Sequence, residues 1–575
     1  MSYSHYFNTK CWSKEARAQA APCVQNLSNW NPALEEIRQW TEYEPQPLRT
    51  LPNTASHLGA GALYVKDESR RFGPELGSFK ALGAPYAIYR ILAEKVYSCT
   101  GIRPSSAELH TNKFHEITEQ ETVCVATDGN QGRGLAYGAK IFGCRCVVYI
   151  HNHVSVGREQ KIKELGAIAI RINGEYEDSV ERAKEDCRMN GWHFVSSTSW
   201  DDFNSNIPRD VMNAYMVVVE EATSMVPSVK DITHVLVCGG VGSIAAAIFL
   251  GILTRFREIK RESPNKQVAL PRFVIVEPHE ADCLLQSARN GDLCQSGGSL
   301  HTMMAGLACR TPSPAAWNLL SWLASDFIAV PDTFAVAGMQ ALAAGCRGDI
   351  PVVSGESSAA TMGVMLEAGK DRVLRDKLGL QPTSQVLLFN LEGSTDPEIY
   401  ERIVFLATSS LFDTRHREVD ASYTRNNSDT VAVNATQRRS SARVGGRANL
   451  ASSWAAKKNV SILSVIARLN YIDGILRENA NLRTSLSKHN AGSITGAISS
   501  PSPNAAAAAS VAPDANAQPV APTEDPSRNP ALRSRPWFQS ISSSNVPILI
   551  GEIADAAFAT RCCQVLLIPK LDHKP

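Results

Sequence analysis

Residues 234–253 read H-V-L-V-C-G-G-V-G-S-I-A-A-A-I-F-L-G-I-L. After His234, Val235–Cys238 form an unbroken apolar run, the pattern of a strand buried on both faces. Three glycines follow within four positions, and then comes an apolar stretch with helical character. Strand, glycine turn and helix in that order are the repeating unit of a parallel α/β sheet. The turn also carries chemistry. Glycines let the backbone point its N–H groups inward, and the positive end of the following helix adds to them, so a phosphate can be cradled there. The turn lacks the Lys-Ser/Thr of a P-loop and the full G-x-G-x-x-G of a dinucleotide site, so it suits a small phosphate monoester better than a nucleotide. Taken alone, it also reads as a tight strand–helix turn.

The same alternation extends outward. Strands are expected at 62–67, 122–127, 144–150, 167–172, 234–240, 273–278 and 385–393, with helices such as 130–142 and 157–166 between them. A region running from about 45 to 409 is too large for one sheet, so two α/β lobes with a cleft between them are expected. The 575-residue chain divides into an N-terminal segment (1–44), this two-lobed region (45–409) and an extension (410–575). In the extension, 437–458 has six basic residues and no acidic ones, and 498–536 is rich in Ala, Ser and Pro. Such composition buries too little apolar surface to offset chain entropy, which predicts a largely disordered tail. Heptad spacing over 461–486 is broken at Asn479 and Arg483, and 546–570 reads as a small strand–helix–strand piece.

Charge excludes some functions. With 58 basic and 57 acidic residues the chain is nearly neutral, so the whole-chain field favours neither nucleic acid nor an anionic membrane. The basic stretch 437–458 is the one place where a nucleic-acid arm could lie, and a solvated linker explains it as well. No apolar run spans a bilayer, and the first residues lack a secretory apolar core. The close cysteine pairs Cys144/Cys146 and Cys562/Cys563 do not have zinc-site spacing. A cytoplasmic protein with reduced thiols, and with no metal, is the expectation.

A cation stands out at 76–90, L-G-S-F-K-A-L-G-A-P-Y-A-I-Y-R. Lys80 opens what looks like a buried helix, among Phe79, Ala81, Leu82, Ala84 and Tyr86. Burial disfavours the charged amine, and a neutral amine condenses with an aldehyde, so Lys80 is a candidate covalent anchor. The third motif, T-D-G-N-Q-G-R-G (127–134), follows a buried strand and opens a helix. It places Asp128 and Asn130 at the carboxyl edge of a sheet, where open α/β folds bind ligands. Asp128 also reads as a helix cap. Cys238 and Cys309 read as small buried side chains, and Glu356 as either a structural or a substrate-facing carboxylate.

With S-F-K-A-L-G (78–83), K-D-E-S-R-R-F-G (66–73), V-E-P-H-E-A-D-C (276–283), M-A-G-L-A-C (304–309), S-G-E-S (354–357) and L-E-G-S-T-D-P (391–397), these motifs run in order over roughly 40–405. Together they resemble the fold-type II pyridoxal-phosphate enzymes, the tryptophan synthase β-like group, and within it the diaminopropionate ammonia-lyases. The resemblance implies a two-lobed fold with pyridoxal 5'-phosphate as cofactor. It implies Lys80 as the lysine that carries the cofactor, Asn130 at its ring, Gly239, Gly240, Val241, Gly242 and Ser243 at its phosphate, and Asp128 as a base. The implied reaction is α,β-elimination, in which 2,3-diaminopropionate, a small amino-acid substrate, gives pyruvate and ammonia. A homodimer is implied by analogy alone.

The chain departs from the family pattern at several points. Where the family reads like Q-D-T-A-W, this chain has S-S-T-S-W (196–200), with Ser197 at the aspartate. Where the family reads like S-T-E-G-D-T-D, this chain has N-L-E-G-S-T-D (390–396). Leu391 cannot meet a pyridine nitrogen, which leaves Asn390, Ser394 or Thr395 to do so. Gln131 stands for a family histidine, and residues around 74–77 lengthen the loop before Lys80. The rival expectations are serine/threonine dehydration, a β-replacement, and a catalytically impaired cofactor-binding protein.

Overall fold

The computed structural model describes residues 2–127, 129–199, 203, 205–262, 269–345 and 348–406. The extension 410–575, with its basic, heptad and Ala/Ser/Pro-rich stretches, lies outside the described residues, as do Asp128, Asp201 and Asp202.

Eleven strands are described: β1 Ser4–Phe7, β2 Leu48–Thr50, β3 Ala62–Asp67, β4 Thr122–Ala126, β5 Arg145–Ile150, β6 Ile168–Arg171, β7 His193–Phe194, β8 His234–Cys238, β9 Arg272–Pro278, β10 Asp326–Val330 and β11 Gln385–Asn390. They form two sheets, as the alternation predicts. The larger runs β1-β10-β9-β8-β11-β3-β2, and the smaller runs β6-β5-β4-β7. Every pairing is parallel except at the two edges of the larger sheet, where β1 meets β10 and β2 meets β3 antiparallel. The central strands β4, β8 and β10 are buried along their whole length, which is why they read as apolar runs without alternation.

The seven expected strands are all present. Four others escape the sequence pattern. β1, β2 and β7 are two to four residues long, too short for a period to register. β10 follows the apolar helix Pro314–Leu323 almost directly, and W-N-L-L-S-W-L-A-S-D-F-I-A-V (317–330) hides the boundary because helix and strand are equally buried. The residues before 45 take part in the larger sheet: β1 forms its edge, and the helix Lys14–Asn26 buries Ala16, Ala20 and Cys23.

Helix Ser243–Glu262 stacks Phe249 on Phe273 of β9, with ring centres 4.5 Å apart. Helix Asn130–Phe142 comes so close to helix Lys80–Thr100 that a Cβ on Gly134 would lie 2.8 Å from the Lys80 carbonyl oxygen. A glycine is required there. Cys124 of β4 and Cys187 of the helix Tyr176–Asn190 are brought against one another. They lie 63 residues apart, so no spacing motif announces them. Among the described residues, no helix is long and apolar enough to cross a membrane.

Behind the loop that leads to Lys80 sits a buried ion cluster. Lys66 pairs with Glu68 and, at 2.9 Å, with Glu221. Arg71 reaches Glu68 at 2.7 Å and Glu221 at 2.7 Å. Tyr43 and the Gln46 amide also donate to Glu221. Burial by itself would raise the Glu68 carboxyl, but Arg71 and Lys66 hold it down at about 2. Two cations and two anions cancel here, which is what makes their burial tolerable.

Candidate active site

Four chain segments converge at the carboxyl ends of β3, β4, β8 and β11. From β3 the chain runs through 68–79 to Lys80, the first residue of helix Lys80–Thr100. Residues 77–79 are pinned against the end of β11: the Phe79 amide donates to the Leu391 carbonyl at 3.0 Å, and the Gly393 amide to the Gly77 carbonyl at 2.9 Å. Lys80 is half-buried rather than fully buried, because its side chain faces a cavity. In the ion cluster above, Lys66 is locked between two carboxylates; no carboxylate among the described residues forms an ion pair with Lys80.

From β4 the chain turns through Thr127, whose Oγ1 accepts from the amides of Gly129 (3.0 Å) and Gly132 (3.3 Å). That turn starts the helix at Asn130. From β8 it enters the glycine turn. Gly240 and Gly242 have φ of +64° and +93°, a region that L side chains rarely adopt, and the 20-residue helix Ser243–Glu262 begins at once. Ser243 Oγ donates to the Ser197 carbonyl at 2.6 Å. Beneath the turn, the Glu277 carboxyl accepts from the amides of Leu284 (3.0 Å) and Leu285 (2.8 Å), and burial pushes it up to about 8.

These segments enclose one cavity. Lys80, Asn130, Gly239, Gly240, Val241 and Ser243 all line it. Gly242 shapes the turn without lining the cavity. Cys238 and Cys309 line the cavity, and burial pushes the Cys238 thiol up to about 12, consistent with a small buried side chain. Ser197 also lines it. The candidates Asn390, Ser394 and Thr395 do not. Asn390 is committed elsewhere, donating to Asp67 Oδ1 at 2.9 Å and to the Val353 carbonyl at 2.8 Å.

Residues 40–388 match the family model described as pyridoxal-phosphate dependent enzyme. The chain belongs to the pyridoxal-phosphate dependent enzymes. It is 33% identical over 415 residues to the diaminopropionate ammonia-lyase of Salmonella typhimurium, a match covering 71% of this chain and 98% of that protein. The crystal structure of the holo diaminopropionate ammonia-lyase of Escherichia coli, with selenomethionine, superposes with a TM-score of 0.60 at 31% identity. It covers 71% of this chain and 97% of that one. The same enzyme with an aminoacrylate-PLP azomethine reaction intermediate superposes with a TM-score of 0.57 at 30% identity, covering 71% and 98%. As a member of this family, the protein is an enzyme that uses pyridoxal phosphate.

The site of this pyridoxal-phosphate dependent enzyme holds residues that motif reading passed over. Arg158 lines the cavity and pairs with Glu356 at 2.8 Å. Glu356 stands just behind the wall, and burial, reinforced by Glu392 and opposed by Arg158, pushes it up to about 7. Glu392 lines the cavity and accepts from Asn130 Nδ2 at 2.5 Å. Tyr215 lies within an apolar helix, Asn206–Met225, so its sequence context reads as core. Yet its ring lines the cavity, with a buried hydroxyl that has no protein partner. No local pattern marks Arg158, whose carboxylate partner is 198 residues away.

Proposed function

We propose that this chain catalyses α,β-elimination of ammonia from 2,3-diaminopropionate, releasing pyruvate and ammonia. One observation carries the reading: the amine of Lys80 and the glycine turn Gly239–Ser243 line the same cavity, with Asn130 between the lobes. The residues fit pyridoxal phosphate. The turn and the helix behind it offer backbone N–H groups and a positive end for a phosphate. Lys80 offers an amine for an aldehyde. Buried polar atoms without protein partners, namely Tyr215 Oη, Gln131 Oε1 and Ser357 Oγ, surround the space between, and such atoms are costly unless a ligand meets them.

Pyridoxal phosphate, when bound, supplies a ring that stores the electrons left at Cα when its proton is lost. The chain's own residues do the rest. Lys80 would hold the cofactor through its amine and would move a proton at the substrate Cα. Asp128, which lies outside the described residues, is the second candidate base. Asn130 would orient the ring, and Gly239, Gly240, Val241 and Ser243, in a turn shaped by Gly242, would hold the phosphate. With Ser197 where relatives of this type carry an aspartate, one enantiomer of the substrate is favoured. The assembly in this reading is a cytoplasmic homodimer.

The test is pyruvate release from D- and L-diaminopropionate, serine and threonine, alongside the visible band of a lysine-linked cofactor. Lys80→Ala is expected to abolish both turnover and band. Turnover at the wild-type rate in that variant would overturn the assignment.

A further inference from the structure

A second cavity, of about 250 Å³, lies toward the far end of the helix whose start follows the glycine turn. Phe256, Arg257 and Lys260 of that helix line it, with Trp12 and Arg17 from the start of the helix Lys14–Asn26 and Trp322 from the helix Pro314–Leu323. It shares no lining residue with the cavity at Lys80. At 1.5 Å per residue, Phe256 and Lys260 stand roughly 20–25 Å along the helix axis from Ser243.

The walls are aromatic. Trp12 and Trp322 meet edge to face with ring centres 5.6 Å apart, which leaves a corner of ring surface. Trp12 has a φ of +63°, an uncommon conformation for a bulky residue, and its amide donates to the Trp322 carbonyl at 3.0 Å. Such conformations persist where the surroundings fix them, and they cluster at ligand clamps.

The rest of the lining is cationic. The Arg257 guanidinium lies 5.4 Å from the centre of the Trp322 ring. Among the described residues Arg17, Arg257 and Lys260 form no ion pair, and the neighbouring Glu258 is taken by Arg255 at 2.8 Å. Burial, and then the charges of Arg17 and Arg261, hold the Arg257 guanidinium below its ordinary value, so cation here faces cation. Helix electrostatics account for Lys260, in a last turn, but not for Arg17, near the positive start of its helix.

We propose that this cavity binds a small aromatic phosphate, its ring in the corner of Trp12 and Trp322 and its phosphate among Arg17, Arg257 and Lys260. Three unpaired cations suit a dianion. Ligand pockets commonly run to roughly 300–1,000 Å³, so this smaller one takes a single ring rather than a dinucleotide.

The test is calorimetric titration of the full-length protein with phenyl phosphate. The protein is first loaded with pyridoxal phosphate and freed of the excess, because the free cofactor is itself an aromatic phosphate. Phenyl phosphate is expected to bind, with phenol and inorganic phosphate each at least about tenfold weaker, since each lacks half of the recognition. Arg257→Gln and Lys260→Gln should each weaken phenyl phosphate by about tenfold, the loss of one charge-assisted bond. Lys260 is exposed, so its replacement disturbs no packing. Arg372→Gln, which removes an exposed cation elsewhere, should change nothing. Trp12→Leu should weaken phenyl phosphate and leave inorganic phosphate as it was. No binding by the wild type, inorganic phosphate binding as tightly as phenyl phosphate, or unchanged affinity in both cation variants overturns the proposal.

Discussion

Replacing Gly242 by alanine probes the phosphate turn without touching a side chain that does chemistry. The residue has a φ of +93°, and holding an L-residue on that side costs roughly 1–2 kcal/mol. The new methyl would lie 2.8 Å from Leu320 Cδ1, 3.3 Å from Ala316 Cβ and 3.4 Å from Leu284 Cδ2. Forcing a methyl into packed surroundings adds about 1–3 kcal/mol. The sum, about 2–5 kcal/mol, must appear in one of two places. If the turn keeps its shape, the protein loses stability; for a unit spanning Met1–Thr408 that is a melting drop of roughly 2–6 °C. If the turn relaxes, cofactor affinity falls instead, by about tenfold for every 1.4 kcal/mol. Thermal melts of the cofactor-free protein and titration of the visible band measure the two shares separately. Gly297→Ala is the control, because nothing lies within 4 Å of its added methyl and its backbone is ordinary. A Gly242→Ala protein that both melts and binds cofactor like the wild type would refute the account of the turn.

Other consequences follow from the buried charges and the altered wall. Glu221→Gln leaves Lys66 and Arg71 facing Glu68 alone, which should cost about 3–5 kcal/mol, whereas Arg372→Ala, in an exposed pair with Asp376, should cost less than about 1 kcal/mol; equal melting shifts would contradict the role of the cluster. Glu356, raised to about 7 by burial with help from Glu392, binds its proton more tightly folded than unfolded. Its contribution to stability is complete below the ordinary carboxyl range and is lost as pH rises through about 7, so Glu356→Gln should flatten that limb in melts taken between about pH 5 and 8. Ser197→Asp should raise turnover of the disfavoured diaminopropionate enantiomer relative to the favoured one, and an unchanged ratio of pyruvate release from the two would remove Ser197 from stereochemical control.

What sequence makes legible here is what local physics encodes. Buried parallel strands announce themselves as apolar runs, so β3, β4, β8, β9 and β11 are visible. Helix Asn130–Phe142 is bounded as read, because it starts at a turn motif and ends at Gly143, whose φ is +73°. Lys80, Asn130 and the glycine turn are recognisable because each sits in a short motif with one backbone job. The rest of the site depends on contacts that no local window contains. Glu392 stands inside a quoted motif, L-E-G-S-T-D-P, yet reading for hydroxyl and amide groups directs attention to Asn390, Ser394 and Thr395, which do not line the cavity. Tyr215 is masked by its apolar helix, and the approach of Cys124 to Cys187 by the 63 residues between them.

The lobes are held at the cleft by polar groups, and this choice couples their contact to ligand binding. Asn130 and Arg133 on one helix, with Ser155 and Arg158 at the start of the next, come from the lobe of the smaller sheet. They reach Glu392, the Thr395 carbonyl, Asp396 and Glu356, all from segments beside β11. An apolar joint would be indifferent to what enters the cavity between the lobes. Here the carboxylate that receives Asn130 also lines the cavity, so whatever fills that cavity meets one of the groups that tie the lobes together. The Asn130–Glu392 contact alone joins positions 262 residues apart in sequence.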